Sequence, residues 1–254
     1  MNKIAVITSS IGGDRKLRDQ AVFKEVDYHA FVDESKMILN STWKIHKVKE
    51  EVSNDYYSDR LIAKKYKILP FYFLKDYEYF IWIDSNIILN VDPKVLIDTY
   101  LQKKDICVQK HNYRDCVYSE IKEVTSLKLD FYSKLKNQYS HYLKEGYPSD
   151  NGLYDCSIII RKNIKSINDM SKSWWEEVNK YSSRDQISFP YVLTKHNIIP
   201  NVIESNSLQN KEYIKKYTEL PTSRKLINQR HNAFSLKVHT LRNIKILIKN
   251  VLRK

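Results

Sequence analysis

The sequence predicts an α/β protein built on a mostly parallel central sheet with helices on its faces. Short runs of apolar β-formers alternate with helical patterns across residues 3–193, and several of those runs end in an acid or a Ser/Gly-rich turn. A third observation places the centre of the sheet. In Tyr79-Phe80-Ile81-Trp82-Ile83-Asp84-Ser85-Asn86-Ile87-Ile88-Leu89, apolar residues fill both faces of an extended chain, as a central strand requires, before an acid and an amide interrupt it.

Taken in order, residues 3–8 form a first strand, ended by the flexible Ser9-Ser10-Ile11-Gly12-Gly13-Asp14. Such a loop lets a nucleotide approach the backbone closely, although its spacing matches neither a phosphate-binding loop nor a dinucleotide fingerprint and a plain turn is the commoner use of such a segment. Residues 28–33 form a second strand that ends in Asp33. Residues 43–48 alternate apolar and polar side chains, which marks an edge strand. A helix follows over 57–69 with an apolar stripe of Leu61, Ile62, Tyr66 and Leu69, and Arg60, Lys64 and Lys67 fall together on another face. Those three cations either reach a bound diphosphate or form a solvated basic face.

After the central strand, Asp92-Pro93 starts a helix reaching Leu101, because Asp caps well and Pro suits the first helical position. Residues 105–108 form a short strand, followed by a polar cluster of His111, Arg114, Asp115, Tyr118 and Glu120. A tyrosine-rich helix over 127–145 stops at Gly146-Tyr147-Pro148. Another buried strand spans 152–161, with Asp155 near its start. A helix over 168–181 carries Trp174 and Trp175 as core anchors. Ser183 is then placed to cap a new helix, with Asp185 in its first turn, where an acid also has the structural use of meeting the helix dipole.

The chain has 254 residues, enough for one domain with a sizeable core, or one domain plus a tail. Low Gly and Pro content excludes fibrous and disordered classes. A formal charge of +13 calls for an anionic partner: nucleic acid, a phosphorylated substrate or acidic lipid. Cys107, Cys116 and Cys156 are odd in number and scattered, which argues against a disulfide framework or zinc ribbon and fits a reducing compartment. No apolar run has the length of a signal-peptide core or a membrane span.

The division expected is a domain over residues 1–220 and a basic C-terminal segment over 221–254, in which no acidic residue occurs. There Leu241, Ile244, Leu247, Ile248, Val251 and Leu252 recur at helical spacing opposite Arg242, Lys245, Lys249 and Arg253. That pattern is a basic amphipathic helix, either lying on a membrane surface or docked on the core.

The chemistry concentrates at the end of the central strand. Asp84 and Asn86 lie two apart, on one side of an extended backbone, where open α/β sheets place their ligands. The pair suits a divalent cation holding a diphosphate, since Mg²⁺ and Mn²⁺ take oxygen ligands. Asp and Asn also open turns routinely.

Several pieces now fall in a distinctive order: Arg60 with Ala63-Lys64 and Lys67-Ile68-Leu69-Pro70; Ile81-Trp82-Ile83-Asp84-Ser85-Asn86; His111 with Arg114, Cys116, Tyr118 and Glu120. They continue as Glu145-Gly146-Tyr147-Pro148, Gly152-Leu153, Ile160-Arg161, Trp174-Trp175 and Arg184-Asp185-Gln186-Ile187-Ser188-Phe189. Over residues 1–195 the chain resembles the glycosyltransferase-like family whose plant Golgi members are linked to mucilage polysaccharide and turgor regulation. The resemblance implies a GT-A fold, a Rossmann-like nucleotide-binding sheet merged with an acceptor-binding part. It puts Asp84 and Asn86 at the Asp-x-Asp position for Mn²⁺ or Mg²⁺ and diphosphate, with Asn86 replacing the second acid. It makes Asp185 and Gln186 the catalytic pair beside the reacting sugar, and Thr8, Ser9 and Asp33 nucleotide-binding positions.

The function expected is transfer of a sugar, of the hexosyl type, from a nucleoside-diphosphate donor such as a UDP-sugar to a glycan hydroxyl, in surface polysaccharide or glycolipid synthesis. Arg60 and Lys64 join the donor site, and His111, Arg114, Tyr118, Glu120 and Asp155 form the acceptor wall. Asp185 orients the donor sugar, or acts as base if the reaction inverts. The acceptor is a glycan or lipid-linked glycan, and the C-terminal helix holds the protein to the anionic inner face of the membrane, peripheral and cytoplasmic. A nucleic-acid-binding module is the rival from basic charge and many tyrosines, without a recognisable motif to support it. An inactive scaffold is the rival from Asn86.

Overall fold

In the computed structural model the described residues are 3–12, 17–33, 41–50 and 56–217. The whole C-terminal segment, with the membrane helix expected in it, lies outside them.

The central sheet has seven strands: β1 (Ile4–Ser10), β2 (Val26–Val32), β3 (Lys44–Lys47), β4 (Tyr79–Ile83), β6 (Ile106–Lys110), β7 (Tyr154–Lys162) and β8 (Asn201–Ile203). Their order is β3-β2-β1-β4-β7-β6-β8. Only β7 runs against its neighbours, β4 and β6, so the sheet is mostly parallel as expected, with β4 inside it and β3 at an edge. A second sheet pairs β5 (Ile87–Leu89) antiparallel with β9 (Ile214–Lys216).

Strand alternation builds two cores, one on each face. Ala5, Ile7, Phe80, Trp82, Ile106, Val108 and Ile159 look to one side, against helices α1 (Tyr56–Ile68), α3 (Val117–Ser126), α4 (Tyr132–Lys144), α5 (Lys165–Lys180) and α6 (Asp185–Lys195). Ile4, Val6, Ile81, Ile83, Cys107, Ile158 and Ile160 look to the other, against α2 (Pro93–Tyr100), β5 and β9. A short helix α7 (Ser207–Asn210) closes that side with Leu208. The parity places the Asp84 side chain, two residues after Trp82, on the face that carries α1 and α6.

The predicted caps hold in part. Asp92 accepts from the Lys94 N–H at 2.9 Å, with Pro93 opening α2. Gly146 takes φ +69°, a left-handed value open to glycine without strain, and ends α4 as the sequence indicates. The tyrosine-rich helix is α4, beginning five residues later than expected, and a further helix that the sequence did not indicate precedes it. The polar cluster after β6 starts α3, whose buried Val117, Tyr118, Ile121 and Val124 form a core face interleaved with charged residues. Ser183 does not cap α6: Arg184 holds that position, and the Ser183 hydroxyl instead donates to Asp130 at 2.9 Å.

Candidate donor and acceptor site

The site gathers at the edge of the sheet where β1, β2, β4 and β6 end and β7 begins. Asp84 follows β4, and its own N–H donates to the Ser157 carbonyl on β7 at 2.9 Å. Its carboxylate is aimed by the indole of Trp82, which donates to Oδ1 at 3.0 Å. Ile87 N–H returns to the Asp84 carbonyl at 2.9 Å, so Asp84 and Asn86 do open a tight turn. Asn86 is clasped by the residue after β9: its Nδ2 donates to the Tyr217 carbonyl at 3.0 Å and its carbonyl accepts from the Tyr217 N–H at 2.9 Å. The amide therefore spends its nitrogen on the backbone and keeps an oxygen as its acceptor end.

Lys64 and Lys67, one helical turn apart on α1, converge on Asp185 at the start of α6. The Asp185 Oδ2 lies 2.8 Å from the Lys64 Nζ and 2.5 Å from the Lys67 Nζ. Burial alone would raise the Asp185 carboxyl, but the two ammonium groups overcome it and hold the acid far below the usual carboxylate range. The lysines differ. Burial pushes Lys64 down to about 8, with Lys67 adding to the effect and Asp185 and Asp84 opposing it. For Lys67 the Asp185 and Asp84 charges outweigh burial and raise it above the ordinary range. Lys67 is sealed at 2% exposure, with its ammonium 5.5 Å from the centre of the Trp82 ring, whereas 20% of the Lys64 side chain stays exposed.

Buried partners brace this group. The Trp174 indole donates to the Asp185 carbonyl at 3.1 Å, and Arg161 donates to the Lys67 carbonyl and, at 3.2 Å, to the Ser171 hydroxyl. Asp130 accepts from Arg60 at 3.0 Å and from the Ser182 hydroxyl, the Ser183 hydroxyl and the Ser183 N–H at 2.9 Å each.

That contact corrects one expectation. Arg60, one turn before Lys64, spends its guanidinium on Ser183, the Leu129 carbonyl and Asp130, in the segments that lead into α6 and α4. Lys67, which helical spacing already set on one face with Lys64, is the second cation of the cluster. Thr8 is fully enclosed and Ser9, also buried, donates to the Ala63 carbonyl at 3.4 Å, so, against expectation, neither hydroxyl is presented at the surface. Asp33 is buried and accepts from the Gly12 N–H at 2.6 Å, tying the loop after β1 to the end of β2.

On the acceptor side, Glu120 accepts from Arg114 Nε at 2.5 Å and from Gln186 Nε2 at 2.5 Å, linking α3 to α6. His111 Nδ1 accepts from the Tyr113 and Arg114 N–H groups at 3.2 and 3.1 Å, which folds the loop after β6. Burial lowers the His111 imidazole; Glu120 and Asp155 oppose the shift, while Arg114 and Arg184 reinforce it. Asp155 accepts from the Ser157 N–H at 2.8 Å and stands 3.9 Å from Lys216. Tyr118 and Glu120 do not form the surface of an acceptor wall. Tyr118 is buried with its hydroxyl on the Tyr147 carbonyl at 2.7 Å, and Glu120 is 1% exposed, so neither side chain is presented at the surface.

Among the described residues no three His, Cys, Asp or Glu side chains converge as a metal-holding group. Asp84 with the Asn86 oxygen fits a different kind of site, in which an ion is held by one or two protein ligands and completed by substrate phosphates.

The model of the TOD1/MUCI70 glycosyltransferase-like domain matches residues 16–218. The chain belongs to that family. Probable hexosyltransferase MUCI70 of Arabidopsis thaliana is 28% identical over 155 residues, covering 57% of this chain and 27% of the relative, so the chain spans about a quarter of that protein's length. Among solved structures, the apo form of mouse xyloside xylosyltransferase 1 superposes with a TM-score of 0.46 at 11% identity, over 80% of this chain and 84% of the other. A glycosyltransferase involved in glycosylation of the major capsid of PBCV-1 gives 0.44 at 9%, over 92% and 99%. The family match covers all of the residues placed at the site except Thr8 and Ser9.

Proposed function

We propose that this chain is a glycosyltransferase of GT-A type that moves a hexosyl group from a nucleoside-diphosphate sugar, a UDP-sugar in particular, to a hydroxyl of a glycan or lipid-linked glycan. The observation that supports it best is the convergence of Asp84, Lys64, Lys67 and Asp185 at the carboxyl edge of the sheet, within the span matched to the family. Two ammonium groups on one carboxylate oxygen leave cationic capacity for a departing diphosphate. Lys64, the more exposed and the less strongly protonated, is the one to supply it.

Asp84 and Asn86 would hold Mn²⁺ or Mg²⁺ together with the donor's phosphates. When bound, the ion acts as a Lewis acid on the leaving group. The turn clasped by Tyr217 presents the Asn86 oxygen, and the Trp82 indole fixes the Asp84 carboxylate. Asp33 orders the Gly12 backbone toward the nucleotide. Asp185, held ionised by its two lysines, is a poor proton acceptor, so its part is to orient the donor sugar with Gln186 beside it. Surface polysaccharide or glycolipid synthesis, at the cytoplasmic face of a membrane and with the basic tail as anchor, is the setting that suits an anion-seeking chain of this kind.

The test is a thermal-shift screen of nucleotide-sugars with and without Mn²⁺, because a ligand bound only by the native state raises Tm. A UDP-sugar should raise Tm, and further so with Mn²⁺. Binding of mixed-sequence RNA with steep salt dependence and no response to any nucleotide-sugar would overturn the reading.

A further inference from the structure

Among the described residues, one cation next to the Lys64–Lys67–Asp185 cluster has no anion. Arg184 immediately precedes α6, next to Asp185, and is half-buried. Its Nε is enclosed and has no hydrogen-bond partner. The neighbouring cations are all matched: Arg60 with Asp130, Arg114 with Glu120, Lys64 and Lys67 with Asp185. Among the described residues no carboxylate pairs with Arg184.

A guanidinium stays charged through the whole working pH range and offers its N–H groups in a flat fork that matches carboxylate and phosphate. Enclosing such a donor with nothing to receive it is unfavourable, and native proteins keep few of them. A ligand that brings an anion resolves the deficit. Asp185 does not serve instead, since its charge is already neutralised by two ammonium groups.

Position selects which ligand. Asp84 acts electrically on Lys64 and Lys67, which marks the donor side. Arg184 holds the α6 N-cap two residues before Gln186, whose amide donates to Glu120 at 2.5 Å beside Arg114, which puts it next to the side where α3 meets α6. We propose that Arg184 is an anion-binding residue of the acceptor subsite, taking a carboxylate or phosphate group of an acidic glycan. The proposal rests on the glycosyltransferase reading above and adds the acceptor's chemical class.

The experiment is calorimetric titration of the full chain, saturated with UDP and Mn²⁺, with three probes: an oligoglucuronate, its carboxyl-reduced neutral counterpart, and a phosphorylated oligomannose. Tighter binding of the first or third names the carboxylate or the phosphate as the group read. The acidic probe should bind at least tenfold more tightly than the neutral one. Arg184→Gln should remove most of that difference while leaving UDP affinity within twofold, and Arg184→Lys, which keeps charge without the fork, should fall between. Equal binding of acidic and neutral probes, or a preference that survives Arg184→Gln at unchanged Tm, overturns the proposal. A large loss of UDP affinity in Arg184→Gln also overturns it, by assigning Arg184 to the donor diphosphate. Failure of the parent protein to bind UDP at all strikes the glycosyltransferase reading itself and is read separately from probe preference.

Discussion

Among single residues, one acid, Asp185, is shared by two lysines. Asp185→Asn should lower kcat by roughly 100-fold or more with little change in KM, because a group beside the reacting sugar acts chiefly in the transition state. Near-normal kcat would leave Asp185 as a helix-start residue. Lys64 gives a pH prediction. Its folded value, about 8, lies below that of a free lysine, so donor affinity should fall as pH rises through about 8, when the ammonium is lost. The same depression makes the folded state bind fewer protons than the unfolded chain between that value and the ordinary lysine range. For this group alone, stability therefore rises with pH across that window. Lys64→Arg should keep UDP affinity flat through the same range, as measured by calorimetry. This pairing was only half legible in the sequence: helical spacing put Lys64 and Lys67 together on one face, but nothing local says that Asp185, more than a hundred residues away, neutralises both.

At the scale of elements, Asp130, just before α4, takes hydrogen bonds from Arg60, Ser182 and Ser183, and so fixes the segment that ends at Asp185. Asp130→Ala strips a buried carboxylate from its cationic partner, which costs about 3–5 kcal/mol. The variant should melt roughly 6–20 °C lower, at the usual few degrees per kcal/mol for a domain of this size. Its residual activity should show reduced kcat, since Asp185 is no longer held in place. A melting point within a degree or two of the parent would contradict the bracing role. The elements themselves were largely legible. Runs of β-formers mark β1, β2, β4 and β7 because each fills both faces, and Asp92-Pro93 and Gly146 mark helix ends through their own backbone chemistry. The helix α3 was hidden because its polar residues, among them Glu120, are recruited by distant partners such as Gln186. The strands β8 and β9 have three residues each, too few for a periodic signal, and their pairing depends on contacts far along the chain.

At the scale of the whole molecule, two cores formed by strand alternation hold seven strands so that their ends assemble one site. The small β5–β9 sheet adds a connection that sequence alone did not show: through Tyr217 and Asn86 it joins the end of the described chain to the Asp84–Asn86 turn. For the basic segment beyond it, liposome co-sedimentation of the full chain and of one ending before Val238 checks the membrane proposal. Anionic vesicles should retain the full chain more than the truncated one, with retention falling in high salt, because each basic side chain near an anionic leaflet contributes roughly 1 kcal/mol. Equal sedimentation of the two would contradict it. The central claim, that the edge around Asp84 receives a metal-bound nucleoside diphosphate, is tested most directly by titrating UDP into the full chain and into Asp84→Ala, each with and without Mn²⁺. The account predicts that Mn²⁺ tightens UDP binding to the parent at least tenfold, and that Asp84→Ala folds normally but loses this enhancement. An Asp84→Ala variant that binds UDP with the same Mn²⁺ dependence as the parent would contradict it.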